Sequence, residues 1–280
     1  MISARRLARL TSIEVYKLFR QRMTLAVVGV PTVVAALVPQ GLWLSSRQGM
    51  QGYLAFSSAL ELSLLLGSLL ILLHSSVSVA WDRSEKTLRN TLAAPVRRSE
   101  VLLSRWFVLE LEVLCLLGLV VGAALLSTAL HYSFEDIRGE AIEPLFYASE
   151  LRHHTAIAIA YHVPAAVALV SLGLLASVLS TSPAVSAALG LSLLLGLDIT
   201  KSVFSSARGV VQSLFNSYLP SLFDQTSYLH GVTAMANGIG DVLWADDSPL
   251  HWLVLAVPAA YTAATLAASL VLFSRRGFAE

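Results

Sequence analysis

Residues 81-WDRSEKTLRNTLAAPVRRSEVLLSRW-106 hold six Lys/Arg and three Asp/Glu in twenty-six positions, within a 280-residue chain that is only 13% charged. They lie between two apolar runs, 53-YLAFSSALELSLLLGSLLILLHSSVSVA-80 and 107-FVLELEVLCLLGLVVGAALLSTAL-130. Runs of 18 or more apolar residues with few charges read as membrane-crossing helices, because about 20 residues at 1.5 Å rise traverse a hydrocarbon core of about 30 Å. The polar stretch is then a link between two crossings, too charged to enter the bilayer. Its reading decides the fold.

The rest of the chain has the same character. Hydrophobic residues make up 56% and the mean hydropathy is +0.70, whereas soluble domains are about half apolar and about a quarter charged. Six apolar segments are predicted to span, at 23–43, 53–80, 106–130, 155–179, 184–203 and 250–273. The expected fold class is an all-α integral membrane protein with six transmembrane helices. Residues 1–280 read as a single transmembrane domain, since no gap is long enough for a separate soluble one. The net charge of +1 reflects charges placed by topology and gives no footing for nucleic acid. The one cysteine, Cys115, sits inside a span and reads as an inert small hydrophobe. The N-terminus does not read as a cleavable signal peptide: twenty-two residues precede the first run, which carries Pro31 and Pro39 and closes on no small-x-small site.

Lys and Arg near span ends are retained in the cytoplasm. With an even number of spans both termini share a side. If that side is cytoplasmic, fourteen of the nineteen Lys/Arg fall inside: Arg5, Arg6, Arg9, Lys17, Arg20 and Arg22, then the six of the opening stretch, then Arg275 and Arg276. Arg47, Arg138, Arg152, Lys201 and Arg208 remain, and the outer loops lean acidic. The expectation is a multi-pass protein of the cell membrane, both termini cytoplasmic, with the opening stretch facing the cytoplasm.

Within that stretch the 28-residue second run makes about 42 Å of helix, so it tilts or projects past the membrane. Trp81 sits where an interfacial aromatic anchor would. Thr87 can cap a short helix over 88–94, with Leu88 and Leu92 on one face. Pro95 ends it, and Ser99 is an expected N-cap for the third span. The bland reading is a solvated loop that holds topology. The sharper one, favoured for a loop of this length with a capped inner helix, is a docking knob of Leu88, Leu92 and Ala93 rimmed by Arg89, Arg97 and Arg98.

The stretch resembles the segment between spans two and three of type-2 permeases of ATP-binding-cassette (ABC) exporters. Asp82-Arg83 matches their charged pair, Thr87-Leu88 their Thr-Leu, Pro95-Val96 their Pro-Val and Arg98 their arginine; Arg105 stands where a lysine is usual. Lys86 replaces a glycine and Arg89 a glutamate, which points to an altered partner surface. The resemblance implies an ATP-driven exporter working by alternating access. Two permease chains, as a homodimer or a heterodimer, would sit above two separate ATPase subunits. It also implies a cytoplasmic coupling segment at 81–105, in which Thr87, Leu88, Arg89, Leu92, Pro95, Arg97 and Arg98 meet the ATPase. The phosphate-cradling G-x-x-x-x-G-K-[ST] loop does not occur here. ATP and Mg²⁺ are therefore expected on the partner, with no catalysis, cofactor or metal in this chain.

Residues 1–22 include an expected amphipathic interfacial helix. Arg5, Arg6, Arg9, Lys17 and Arg20 share one arc and Leu7, Leu10, Val15, Leu18 and Phe19 the opposite one, while Ile13, Glu14 and Tyr16 break the pattern. Such a helix lies at the headgroups, as a lipid anchor or as a flank of the ATPase dock. Ionisable groups at membrane depth cost roughly 2.5–3.5 kcal/mol each on insertion scales and default to functional candidates. Here these are Glu61, His74, Glu110, Glu112, Asp198 and Lys201. Glu110 and Glu112 cannot share a helix face, so one of them is expected to meet His74, more simply as a satisfied pair than as a substrate site. Asp198 and Lys201, three apart, are expected to pair with each other, or to serve the dimer seam or outer gate. His131, His153, His154 and His162 lack metal-ligand spacing. Residues 204–249 read as extracytoplasmic re-entrant or interfacial helices, with one stripe from Val210 to Phe223 and another through Val232, Met235, Ile239 and Val242. The alternative function is a secondary transporter or channel using the intramembrane carboxylates, against which stands the absence of a visible inverted repeat. A membrane enzyme finds neither H-E-x-x-H nor G-x-S-x-G.

Overall fold

The computed structural model describes residues 4–45, 51–85, 97–138, 144–205, 207–221, 223, 227–239 and 251–275. Helix α1 (Ala4–Arg20) is followed at Gln21 by α2 (Arg22–Ser45), then α3 (Gly52–Ser84) and α4 (Arg98–His131). A two-stranded antiparallel hairpin, β1 (Ile137–Arg138) with β2 (Pro144–Phe146), leads into α5 (Ala148–Leu179) and α6 (Pro183–Val203). Two short pieces, α7 (Arg208–Gln212) and a 3₁₀ turn (Phe215–Tyr218), precede α8 (Tyr228–Ala236) and α9 (His251–Arg275). Among the described residues, α2, α3, α4, α5, α6 and α9 are long and apolar enough to cross a membrane. The protein is an all-α membrane protein of six crossings.

Burial sorts the crossings. The most apolar stretches of α5 and α3 are 72% and 56% buried, those of α2, α6 and α9 only 22%. Helices α3 and α5 therefore form the centre, and the others turn large apolar faces outward, among them Leu25, Leu37, Val185 and Leu255. The central pair meets through small residues. A Cβ on Gly173 of α5 would lie 1.9 Å from Ser75 Oγ of α3, and one on Gly190 of α6 would lie 3.0 Å from Ser76 Cβ. Ser177 Oγ accepts the Val79 and Ala80 N–H groups at 2.9 and 3.0 Å. Between lipid-embedded helices, where no hydrophobic drive operates, such close approach is a main source of attraction.

Helices α3 and α4, at 33 and 34 residues, are about 50 Å long and overshoot a core of about 30 Å. The overshoot builds both ends of the bundle. At the α1 end, Arg83 donates to Ser180 O at 2.6 Å and Arg98 to Ser274 O at 3.3 Å. At the opposite end, Gly52 N–H donates to Ser133 O, Tyr53 Oη–H to Ala148 O, and Asp136 accepts the Ala148 N–H. There the β-hairpin closes the α4–α5 connection and α8 packs on α3 and α5.

The structure differs from the sequence reading in local ways. The N-cap of α4 is Arg97, whose backbone N–H donates to Glu100, and Ser99 lies inside the helix. The Val210–Phe223 stripe is two short pieces rather than one helix, and Ile239 falls beyond the end of α8. The hairpin carries no signal that composition or periodicity detects. Thr87, Leu88, Arg89, Leu92 and Pro95 lie outside the described residues, as does Val242.

Candidate functional site

The charged stretch emerges from the end of α3 and re-enters at the start of α4. On its two flanks the structure places a compact charge junction. Arg105 of α4 is 7% exposed. One Nη donates to Asp82 and, at 3.3 Å, to Glu14 Oε2 of α1, while the other reaches Ser78 O of α3 at 2.9 Å. Glu14 also accepts from Lys17 at 2.8 Å. A planar guanidinium, with donors in a rigid fork, holds these three acceptors on two helices in a fixed geometry that an ammonium on a flexible stem does not impose. Glu14, which broke the amphipathic wheel, thus ties α1 to α4 through Arg105. Its misfit was the only sequence signal of this role.

The same elements enclose a cavity of about 430 Å³. Its walls come from Leu18 of α1, Met23 of α2, Val77 and Trp81 of α3, and Val108 and Leu109 of α4; Glu14, Lys17, Arg22, Asp82 and Arg105 supply charge. His74 lines its inner side.

Deeper in the bundle, His74 Nδ1–H donates to Glu112, with the two carboxylate oxygens at 2.9 and 3.1 Å, and His74 Nε2 lies 3.3 Å from Gln21 Oε1. Both members of the pair are buried. Glu110 does not take part. Its carboxylate oxygens are buried and accept no hydrogen bond among the described residues. Neither Glu110's surroundings nor Gln21's approach could be read from the sequence, since each depends on how far a helix is rotated.

At the other end Glu61 accepts from His230 at 2.8 Å and from Thr233 at 3.2 Å, both on α8. Neighbouring Tyr228 meets His154 Nδ1 at 2.6 Å. Burial, reinforced by Tyr161, pushes the Tyr228 hydroxyl up to about 12, so it stays a neutral phenol able to donate. On α6, Asp198 and Lys201 are both buried, and Asp198 accepts from Asn216 Nδ2 of the 3₁₀ turn at 2.8 Å. Asn216 was missed in the sequence, where it is one polar residue in an apolar stripe. Arg97 is exposed at the head of α4 and Arg98 is tied to the end of α9. Among the described residues no group of three His, Cys, Asp or Glu is placed to hold a metal ion. His131 stacks on Trp43, and His162 is buried.

Six apolar crossings, with a charged junction at the flanks of the polar link between the second and third, define a polytopic membrane protein. The chain belongs to the ABC-2 family transporter proteins, whose family model matches residues 10–182, from within α1 to the end of the α5–α6 link. No curated protein matches it. The chain is the non-catalytic, membrane-spanning permease of an ABC transporter.

Proposed function

We propose that this permease is driven by a separate ABC ATPase bound at the α1 end. That end would face the cytoplasm and receive the ATPase on residues 81–105. Thr87, Leu88, Arg89, Leu92, Pro95, Arg97 and Arg98 would form the contact surface, with ATP and Mg²⁺ held by the partner. Cargo would leave by alternating access in an exporter of two permease chains. The supporting observation is the Glu14–Arg105–Asp82 junction. A push delivered to the link enters α3 at Asp82 and α4 at Arg105, and both are fastened to α1, so the three elements move as one lever. The central α3–α5 contact, backbone against backbone at Gly173, would carry that motion along the bundle.

The reading is tested by co-purification and transport. Leu88→Asp or Leu92→Asp is expected to abolish retention of the ATPase subunit. Arg105→Lys is expected to retain the ATPase but uncouple it, with hydrolysis continuing and export falling roughly ten-fold or more, as expected when a multidentate guanidinium anchor is replaced. Export by vesicles that contain the chain and no ATPase would sink the proposal.

A further inference from the structure

The cavity behind α1 shares Glu14, Asp82 and Arg105 with the lever just described, but the lever makes no use of its apolar walls. The cavity has apolar side walls and a charged mouth, and its volume of about 430 Å³ falls within the roughly 300–1,000 Å³ of pockets that hold small ligands. We propose that it is a specific site for one anionic phospholipid of the leaflet in which α1 lies. A fatty-acyl chain fills the slot between α1, α3 and α4, and the phosphate rests at the mouth against Arg22, beside the Lys17–Glu14 pair.

The apolar part of the ligand follows from the walls. Leu18, Val108 and Leu109 are buried side chains that face the cavity, and Trp81, 55% exposed, stands at its edge. An indole there is suited to the boundary between headgroup and chain. A soluble anion would leave these surfaces uncovered, whereas an acyl chain covers them. The site also lies at the end of long membrane-crossing helices, where a lipid needs no passage through water to reach it.

The charge of the headgroup follows from the pairing. The two acids of the lining are already answered, Asp82 by Arg105 and Glu14 by Arg105 and Lys17. Arg22 is exposed and, among the described residues, makes no ion pair. Among the described residues the mouth therefore has cationic charge left over, and its two carboxylates are already paired and not open to a cationic headgroup. This inference holds whichever side of the membrane α1 occupies, so it stands or falls separately from the ATPase reading.

The test is native mass spectrometry of the full-length, delipidated protein titrated with palmitoyl-oleoyl phosphatidylglycerol or with phosphatidylcholine of the same chains. One phosphatidylglycerol is expected to be retained ahead of all others, favoured over phosphatidylcholine by roughly five-fold or more, the effect of one Lys or Arg near an anionic surface. Arg22→Gln is expected to bring phosphatidylglycerol down to the phosphatidylcholine level. Val77→Trp, which fills the slot, should remove the first-bound lipid of either kind. Arg275→Gln, at the same end but outside the lining, should change neither. Equal retention of the two lipids by the wild type, or an unchanged preference in Arg22→Gln, overturns the proposal even if Val77→Trp does not fold. Displacement of the lipid by sn-glycerol 3-phosphate also overturns it, by assigning the site to a soluble phosphate ester.

Discussion

His74 and Glu112 show how a single side chain's fate at membrane depth is decided by rotation. Residues two apart on a helix point about 200° from each other, so α4 can offer His74 either Glu110 or Glu112, never both. The structure selects Glu112, at 2.9 Å. That one carboxylate would pair with His74 was legible in the sequence from depth and spacing; which one was not, because helix rotation is set by packing along the whole length of α4. The pair is buried on both sides, so removing one partner strands the other. His74→Leu or Glu112→Leu alone is expected to lower stability by about 3–5 kcal/mol, while the double variant, which buries two apolar groups instead, should lie closer to wild type than either. Thermal unfolding of the detergent-solubilised protein measures all four corners of this cycle. Simple additivity would show that the two groups do not depend on each other.

Among the elements, the crossing of α3 and α5 depends on an absent side chain. A Cβ at Gly173 meets Ser75 Oγ at 1.9 Å, Ser75 Cβ at 2.9 Å and the Leu72 carbonyl at 3.1 Å. The first two belong to a side chain that can be trimmed, and the third is backbone. Gly173→Ala is therefore expected to cost about 1–3 kcal/mol through overpacking. Adding Ser75→Gly should recover part of the loss, with the Leu72 carbonyl keeping recovery incomplete. Gly118 and Gly122 of α4 face open space; there alanine should be neutral or, by helix propensity, stabilising by up to about 1 kcal/mol. Unfolding midpoints of the four variants check this, and equal effects at Gly173 and Gly118 would refute the close-contact account. Elements differ in how far they can be read from sequence. Spans announce themselves because lipid demands long apolar runs. The 208–223 segment misleads because its helical spacing of apolar residues is real, yet the chain turns at Leu214 to bury Phe215 and to bring Asn216 to Asp198. That turn answers a buried carboxylate on another helix, which no local pattern encodes.

The whole molecule has two chemically distinct ends, and the proposed ATPase-driven mechanism would require them to face opposite compartments. One end gathers α1, Arg83, Arg97, Arg98 and Arg275, and the other the hairpin, Glu61, Glu150 and α8. Retention of Lys and Arg on the cytoplasmic side would set the first end inward, as proposed above. The sole cysteine makes this testable without a large set of substitutions. Cys115 lies exposed on α4 within a span, and Cys115→Ala leaves a background with no thiol. Into it one adds Ser84→Cys, at the end of α3 beside the charged link, or Ser149→Cys, at the start of α5 beside the hairpin; both serines are exposed. With a membrane-impermeant maleimide on intact cells, the Ser149→Cys protein is expected to label at once and the Ser84→Cys protein only after permeabilisation. Because α3 and α5 are packed against each other along the bundle, the two results are coupled: one orientation predicts both, and its inverse reverses both. Labelling of Ser84→Cys in intact cells would set the charged link and its junction on the outer face, beyond reach of any cytoplasmic ATPase. The lever at Arg105 would then have nothing to drive it, while the lipid site behind α1 would simply move to the other leaflet.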